Sequence, residues 1–368
     1  MNKPIRVVVA DDSPFVCHLL TSYLQASPDI RVVGTALNGA RAVRMVQELK
    51  PDVVTLDLEM PHVNGLEAVE RIMDGCPTPI ILISGTSRQA AALTLLAIEM
   101  GAVDFILKYT PGVDTDPEAL RREIIAKVRA ASQTRVIRLR SSDVADQNVI
   151  PLRAVQVNKP LDRPSLPGDS APLLPGGVVV IGASTGGPLA LRQLLATLTP
   201  EFPAAIIVVQ HMPGTFTGVL AEQLHRQVRL RVKEAENGEM LEAATVYVAP
   251  GGYHLLLRPD SRIELNEGPE IAGHRPSIDV AMQSVAQVYG PRTMGVVLTG
   301  MGDDGAMGLV AIRAKGGKTY AQDAGSCVVS GMPQRAVEKE VVDRVGTPET
   351  IAQWLASAQP NVGRVRVC

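Results

Sequence analysis

Two stretches in which short, continuous β-branched runs alternate with helical patterns, separated by a proline-rich segment, constrain the fold of this 368-residue chain more than any other feature. From Ile5 to about Ser132 the runs are Arg6-Val-Val-Val-Ala10, Val53-Val-Thr-Leu56, Ile80-Ile-Leu-Ile83 and Asp104-Phe-Ile106. Between them lie helix signals such as Pro14 and the amphipathic Ala119 to Ala130 stretch. A strand apolar on both sides must be buried on both faces, so these runs predict a parallel sheet covered by helices. The rhythm stops between Thr134 and Pro175, where Asn158-Lys-Pro-Leu-Asp-Arg-Pro-Ser-Leu-Pro-Gly168 and Ala171-Pro-Leu-Leu-Pro-Gly-Gly177 read as a linker. It resumes with Val178-Val-Val-Ile181, Ile206-Ile-Val-Val209, Thr245-Val-Tyr-Val248, Met294-Gly-Val-Val-Leu298 and Lys318-Thr-Tyr-Ala321. Gly251 to Leu257 and Arg262 to Leu265 predict a hairpin that gives this second sheet a mixed edge. The expectation is two α/β domains, 1–131 and 176–368, joined by a linker over 132–175.

Charge narrows the partners. Lys and Arg number 36 against 38 Asp and Glu, a net charge of -2, so there is no positive field for nucleic acid or an acidic membrane. Proteins are the expected partners. Cys17, Cys76, Cys327 and Cys368 show no C-x-x-C spacing, which argues against a zinc cage or disulfide framework and suits a reducing compartment. No apolar run approaches the roughly 20 residues of a membrane span, and no secretory signal pattern precedes Asp11. A cytoplasmic protein without membrane insertion is expected.

In an open parallel sheet, ligands sit beyond the carboxyl ends of the strands. In the first domain these ends carry Asp11-Asp12, Asp57, Ser84 and Lys108. Three facing carboxylates repel one another unless a cation neutralises them, and such an oxygen set suits magnesium. Asp57 is then the candidate nucleophile for a phosphoryl group, with the Lys108 ammonium and Ser84 hydroxyl placed to stabilise its oxygens. Together with Asp57-Leu-Glu-Met-Pro-His-Val-Asn-Gly65, this pattern over Pro4 to about Ala131 resembles the receiver domain of two-component response regulators. The resemblance implies a doubly wound, flavodoxin-like fold. It also implies Asp57 as phospho-acceptor, Asp11, Asp12, Asp57 and the Glu59 backbone carbonyl around Mg2+, and Phe105 as a switch aromatic. That family usually has proline directly after the lysine, where this chain has Tyr109.

The second domain opens with Val178-Val-Val-Ile-Gly-Ala-Ser-Thr-Gly-Gly-Pro188, a strand entering a small-residue turn and then a helix. Gly182-Ala-Ser-Thr-Gly186 fits G-x-S-x-G, a turn that exposes the Ser184 hydroxyl near a helix N-terminus. A glycine turn after a first strand can also cradle a dinucleotide. That reading needs an acid at the end of the second strand, where this chain has Gln210-His211. His211 lies on the same edge as Ser184 and is the candidate general base, with His254 and His274 as rivals. His18, His62 and His225 read as structural or surface side chains. The loop Gly300-Met-Gly-Asp-Asp-Gly305 offers the acid that would hold the histidine tautomer, and residue chemistry alone leaves Asp303 and Asp304 both open.

Gly182-Ala-Ser-Thr-Gly-Gly187, Gln210-His-Met-Pro213, His274-Arg-Pro-Ser-Ile-Asp279, Leu298 to Gly305 and Ser326-Cys-Val-Val-Ser-Gly-Met-Pro333 together resemble the catalytic domain of the CheB family of chemotaxis methylesterases, over Gly177 to about Val345. The resemblance implies an α/β parallel-sheet esterase. Such an enzyme hydrolyses glutamate methyl esters on methyl-accepting chemoreceptors, deamidates receptor glutamines, and receives phosphate from a chemotaxis histidine kinase. By position it implies Ser184 as nucleophile, His211 as base, Asp304 as orienting acid, the Thr185 and Met301 amides as oxyanion donors, and His274 and Met332 as site lining. No cofactor is implied in this domain. The competing readings are a receiver-controlled scaffold and a DNA-binding response regulator; the second half shows neither a helix-turn-helix pattern nor a basic stripe.

Overall fold

The computed structural model describes residues 3–61, 63–108, 116–134 and 175–358. His62, Tyr109, Cys368 and most of the expected linker (135–174) lie outside the described residues. The chain divides into two compact units.

The first unit runs β1 (Ile5–Ala10), α1 (Pro14–Gln25), β2 (Ile30–Ala36), α2 (Gly39–Leu49), β3 (Val53–Asp57), α3 (Gly65–Gly75), β4 (Ile80–Ser84), α4 (Arg88–Glu99), β5 (Asp104–Leu107) and α5 (Pro117–Ser132). Its strands form one parallel sheet in the order β2-β1-β3-β4-β5. β3 and β4 are buried throughout, as their largely apolar runs predict. Short polar side chains start the helices: Ser13, Asn38, Asn64 and Ser87 each accept an N–H from the first turn that follows. The order reverses between β1 and β3, so the crevice at their carboxyl ends receives Asp11, Asp12 and Asp57.

The second unit runs β6 (Val178–Ala183), α6 (Gly187–Ala196), β7 (Ala205–Gln210), α7 (Gly214–Gln227), β8 (Arg231–Glu234), β9 (Thr245–Val248), β10 (His254–Leu257), β11 (Ile263–Asn266), α8 (Ile278–Tyr289), β12 (Thr293–Val297), α9 (Ala306–Ala314), β13 (Lys318–Gln322), α10 (Gly331–Glu338), β14 (Arg344–Gly346) and α11 (Pro348–Ala358). Seven strands form a parallel sheet ordered β14-β13-β12-β6-β7-β9-β8. The hairpin expected at its edge is a correction. Among the described residues, β10 and β11 pair antiparallel with each other alone, and the main sheet has no antiparallel pair. The reason is packing. Leu255 and Leu257 turn into the core, and Ser284 on α8 accepts the Leu257 N–H, so the hairpin lies on a helix instead of extending the sheet. β8 and β14 close the sheet edges, and their half-exposed or charged residues lack the apolar run that signals a strand. The switch point falls between β6 and β12, so the loops that follow them share one crevice with the end of β7. Among the described residues, no helix is long and apolar enough to cross a membrane.

Candidate active site

Three loops converge at the carboxyl edge of the second sheet. The first carries Ser184, directly after β6. Gly186 caps α6 with φ of +78°, and a Cβ there would lie 2.5 Å from Val328 Cβ, so the turn that presents the serine needs glycine for both its angle and its space. The Ser184 N–H donates to Thr299 O at 3.0 Å, and its carbonyl accepts from Gly187 N at 2.8 Å and Gln210 Nε2 at 2.9 Å. Those bonds leave the hydroxyl uncommitted to the scaffold.

His211 follows β7, its N–H held by Ala183 O at 3.0 Å. Its Nε2 lies 2.8 Å from Asp304 Oδ2, and both side chains are more than nine-tenths buried. Asp304 also accepts the N–H groups of Ile278 (2.8 Å) and Asp279 (2.9 Å) and the Ser277 hydroxyl (3.1 Å). Burial alone would push this carboxyl up; the hydrogen bond from His211 and the two α8 amides more than offset that and hold it below the usual carboxylate range. An ionised Asp304 requires the proton on Nε2, which leaves Nδ1 as the nitrogen with a lone pair. That atom is buried with no hydrogen-bond partner. Asp304 points at the first turn of α8 while Asp279, on that turn, accepts Gly305 N (2.9 Å) and Gly308 N (2.6 Å) at the start of α9. Each helix is capped by the other's aspartate.

The first unit's crevice brings together Asp11, Asp12 and Asp57, with one oxygen of each within 4.8 Å of the others. Lys108 Nζ is 2.7 Å from Asp57 Oδ2 and 3.3 Å from Asp11 Oδ2. Burial pushes the Asp11 carboxyl up against the pull of the Ser13 amide and Lys108, and the long ion pair with Lys108 is the one partner of its Oδ2 among the described residues. A buried, under-coordinated carboxylate beside two others is a donor set that fits a hard divalent cation. The Glu59 N–H donates to Asp57 Oδ1 at 3.1 Å, which sets that residue beside the cluster. Ser84 Oγ accepts from Thr94 Oγ1 at 2.7 Å, and the buried Phe105 ring lies 5.4 Å from Lys127 Nζ.

A family model described as CheB methylesterase matches residues 179–355, and one described as response regulator receiver domain matches 7–116. The chain is 42% identical over 358 residues to a protein of Symbiobacterium thermophilum named protein-glutamate methylesterase/protein-glutamine glutaminase, covering 97% of this chain and 98% of that one. It belongs to the CheB methylesterase family. A protein of Pyrococcus horikoshii with the same name is 41% identical over 363 residues, covering 97% of this chain and 94% of that one. The crystal structure of the Thermotoga maritima CheB methylesterase catalytic domain is 40% identical, covering 50% of this chain and all of that one, with a TM-score of 0.49.

In this CheB-family chain, the structure separates residues that the sequence left as alternatives. Asp304 reaches His211, whereas Asp303 is exposed. His254 is committed on both nitrogens, Nδ1 to Ser277 N at 3.2 Å and Nε2 at 3.0 Å from Pro269 O, so it braces the loop that holds Asp304. His225 Nδ1 accepts the Val232 N–H, a structural task. His274 lies flat on His211, and Met332 is buried against Gly300. Thr185 is buried and Met301 half-buried on the loops after β6 and β12.

Four positioning residues received no role from the sequence. Gln210 Nε2 bridges the carbonyls of Ser184 (2.9 Å) and His211 (3.2 Å), tying the two loops together. The Thr299 hydroxyl donates to Thr185 O (2.9 Å) and accepts from Val329 N (3.0 Å), while Gln322 Oε1 accepts the Thr299 N–H at 2.8 Å. Ser277 bonds Asp304. The available signal was a polar residue at or just past the end of an apolar strand, as Gln210, Thr299 and Gln322 are. Gly300 adds a steric test. A Cβ there would sit 2.8 Å from Ser184 Cβ and 2.2 Å from the sulfur of the fully buried Met332, which has little room to yield. Gly300→Ala is expected to displace Ser184 and lower turnover about 100-fold with the chain still folded. Turnover near wild type, measured alongside a melting curve, would refute that crowding.

Proposed function

We propose that this chain hydrolyses glutamate methyl esters on methyl-accepting chemoreceptors and deamidates receptor glutamines, in chemotaxis adaptation, through a Ser184-His211-Asp304 triad controlled by the receiver. The observation that carries the proposal is the 2.8 Å bond from His211 Nε2 to a buried, ionised Asp304, which leaves Nδ1, without a hydrogen-bond partner, as the free nitrogen of a residue whose backbone N–H is bonded to Ala183 next to Ser184. Serine proteases use the opposite ring nitrogens for these two contacts, but the logic of the roles is the same. Nδ1 takes the Ser184 proton as Oγ attacks the side-chain carbonyl. The amides of Thr185 and Met301 face the developing oxyanion. Methanol, or ammonia from glutamine, leaves with the proton held at Nδ1. Water, deprotonated by the same nitrogen, then releases glutamate from Ser184. Nucleophile and base contacts in an unliganded enzyme commonly tighten only when substrate binds. Methanol release from methylated receptor, lost in Ser184→Ala, tests the reading.

The names of the relatives and the receiver match support regulated hydrolysis. In this reading residues 1–131 form the receiver, 132–175 the linker and 176–368 the catalytic domain. Asp11, Asp12, Asp57 and the Glu59 carbonyl would hold Mg2+, which when bound neutralises the acidic cluster and the incoming phosphate. Asp57 accepts a phosphoryl group from a chemotaxis histidine kinase. Lys108 and Ser84 then contact the phosphate, and Phe105 repacks. The unphosphorylated receiver is expected to restrain the esterase. Residues 176–368 alone should therefore exceed the unphosphorylated full chain by about 5-fold to 150-fold in methanol release, the span of an ordinary coupling energy. A small phosphodonor with Mg2+ should raise the full chain toward the fragment, and Asp57→Ala should abolish that response. Equal rates for fragment and unphosphorylated chain would rule out restraint.

A further inference from the structure

His211 uses Nε2 on Asp304, and one face of its ring is covered. The His274 ring stacks on it with centroids 3.8 Å apart and planes inclined by 11°. That is closer than the roughly 4.5 to 7 Å of ordinary aromatic pairs. We propose that His274 is a positioning residue for the base: its flat ring fixes the plane of the His211 imidazole, and its π face stabilises the imidazolium that forms at each proton transfer. The inference rests on His211 acting as the base of the proposed hydrolase.

The way His274 is presented supports the assignment. Ile271 and His274 exchange both backbone hydrogen bonds, at 3.1 and 3.0 Å, across a two-residue turn. Ala272 and Gly273 take φ of +51° and +80°, the double left-handed geometry of a tight hairpin turn, at Ala272 against the preference of a residue with a Cβ. Further along the segment, Gly252 N donates to Arg275 O at 3.0 Å, and the Ser277 hydroxyl reaches Asp304. One short segment thus covers the ring of the base with His274 and holds the acid with Ser277. A charge on His274 would oppose this role, because two cations 3.8 Å apart repel. Burial, aided by His211, pushes His274 down to about 4, against the opposite pull of Asp304 and Asp303, so its ring is neutral at physiological pH. A neutral imidazole face over an imidazolium is a cation–π contact, and it strengthens as the proton arrives.

A nitrogen-based role and a face-based role give different results when the ring is kept and its nitrogens are removed. In the full chain, with methylated receptor as substrate, His274→Phe keeps a flat π face, His274→Leu fills the space without one, and His274→Ala leaves it open. Leu and Ala variants should lose about 3- to 30-fold in kcat with KM unchanged, the range expected for one cation–π contact, while the Phe variant stays within about 2-fold of wild type. Melting curves identify any variant that does not fold, and the Phe and Leu pair, both apolar and bulky, carries the comparison if Ala is lost. A Phe variant as slow as Leu would overturn the proposal by placing the role in the nitrogens. So would a Leu variant at the wild-type kcat, or a change confined to KM. Failure of the underlying reading looks different: wild type and Ser184→Ala, assayed alongside, would then release methanol equally.

Discussion

Ser184→Ala should lose methanol release by about 10^4- to 10^6-fold while melting within a few degrees of wild type. The size of the loss follows from the role of the hydroxyl. In the proposed mechanism it is the atom of Ser184 that bonds covalently to substrate, and removing such a nucleophile leaves only binding and oxyanion stabilisation. The retention of fold follows from the hydrogen bonds. Among the described residues, every hydrogen bond of Ser184 uses its main chain, through Thr299 O, Gly187 N and Gln210 Nε2, so deleting Oγ leaves no buried group newly unpaired. Alanine also fits the backbone that serine adopts here, since the left-handed position of the turn belongs to Gly186. Methanol release and thermal melting of one preparation settle the matter. A variant that turns over at the wild-type rate would end the serine-hydrolase reading, and one that fails to fold would contradict the hydrogen-bond account.

The parts of the molecule legible in the sequence share a physical cause. Fully buried parallel strands must be largely apolar, so β3, β4, β6 and β7 announce themselves, and their ends mark the crevices where Asp57, Ser184 and His211 stand. Edge strands escape this rule, which is why β8 and β14 leave little trace. The hairpin was visible as two strands, but its partner was not, because a strand pattern says which face is buried and not what covers it. Residues that brace the loops and the buried acid leave the faintest trace in the sequence. Gln210, Ser277, Thr299 and Gln322 carry no chemistry of their own, and their work depends on contacts between loops far apart in sequence, such as Thr299 to Thr185. His274 was legible as lining, but its stacking on His211 required the turn at Ala272 and Gly273 to be seen in three dimensions.

Asp304→Asn should be far more damaging than Asp303→Asn, which should be nearly silent. Asp304 is an acceptor four times over: Oδ1 takes the Ser277 hydroxyl and the Asp279 N–H, and Oδ2 takes the Ile278 N–H and His211 Nε2. An asparagine keeps one acceptor oxygen and turns the other position into a donor, so in either flip an NH2 group faces an N–H. Kept toward His211, the oxygen leaves the Asp279 amide opposed; turned away, the NH2 faces Ile278 and forces the His211 proton onto Nδ1, the nitrogen proposed as base. Loss of the anion also removes the charge that stabilises the imidazolium. Turnover is expected to fall about 10^4-fold, as when the corresponding acid of a serine protease is neutralised, and stability by about 1 to 3 kcal/mol from the unpaired buried amide. Asp303 is exposed, and Asp303→Asn should stay within a few-fold of wild type. The pH dependence supplies an independent check. The folded Asp304 carboxyl lies below its usual range, so its ionisation stabilises the fold above the unfolded pKa, and that contribution is lost as pH falls through the lowered folded value. The stability difference between wild type and Asp304→Asn should therefore be constant above about pH 5 and shrink below about pH 4. A larger loss of turnover in Asp303→Asn, or a difference that widens toward acid, would show that the buried carboxylate bonded to His211 is not the orienting acid.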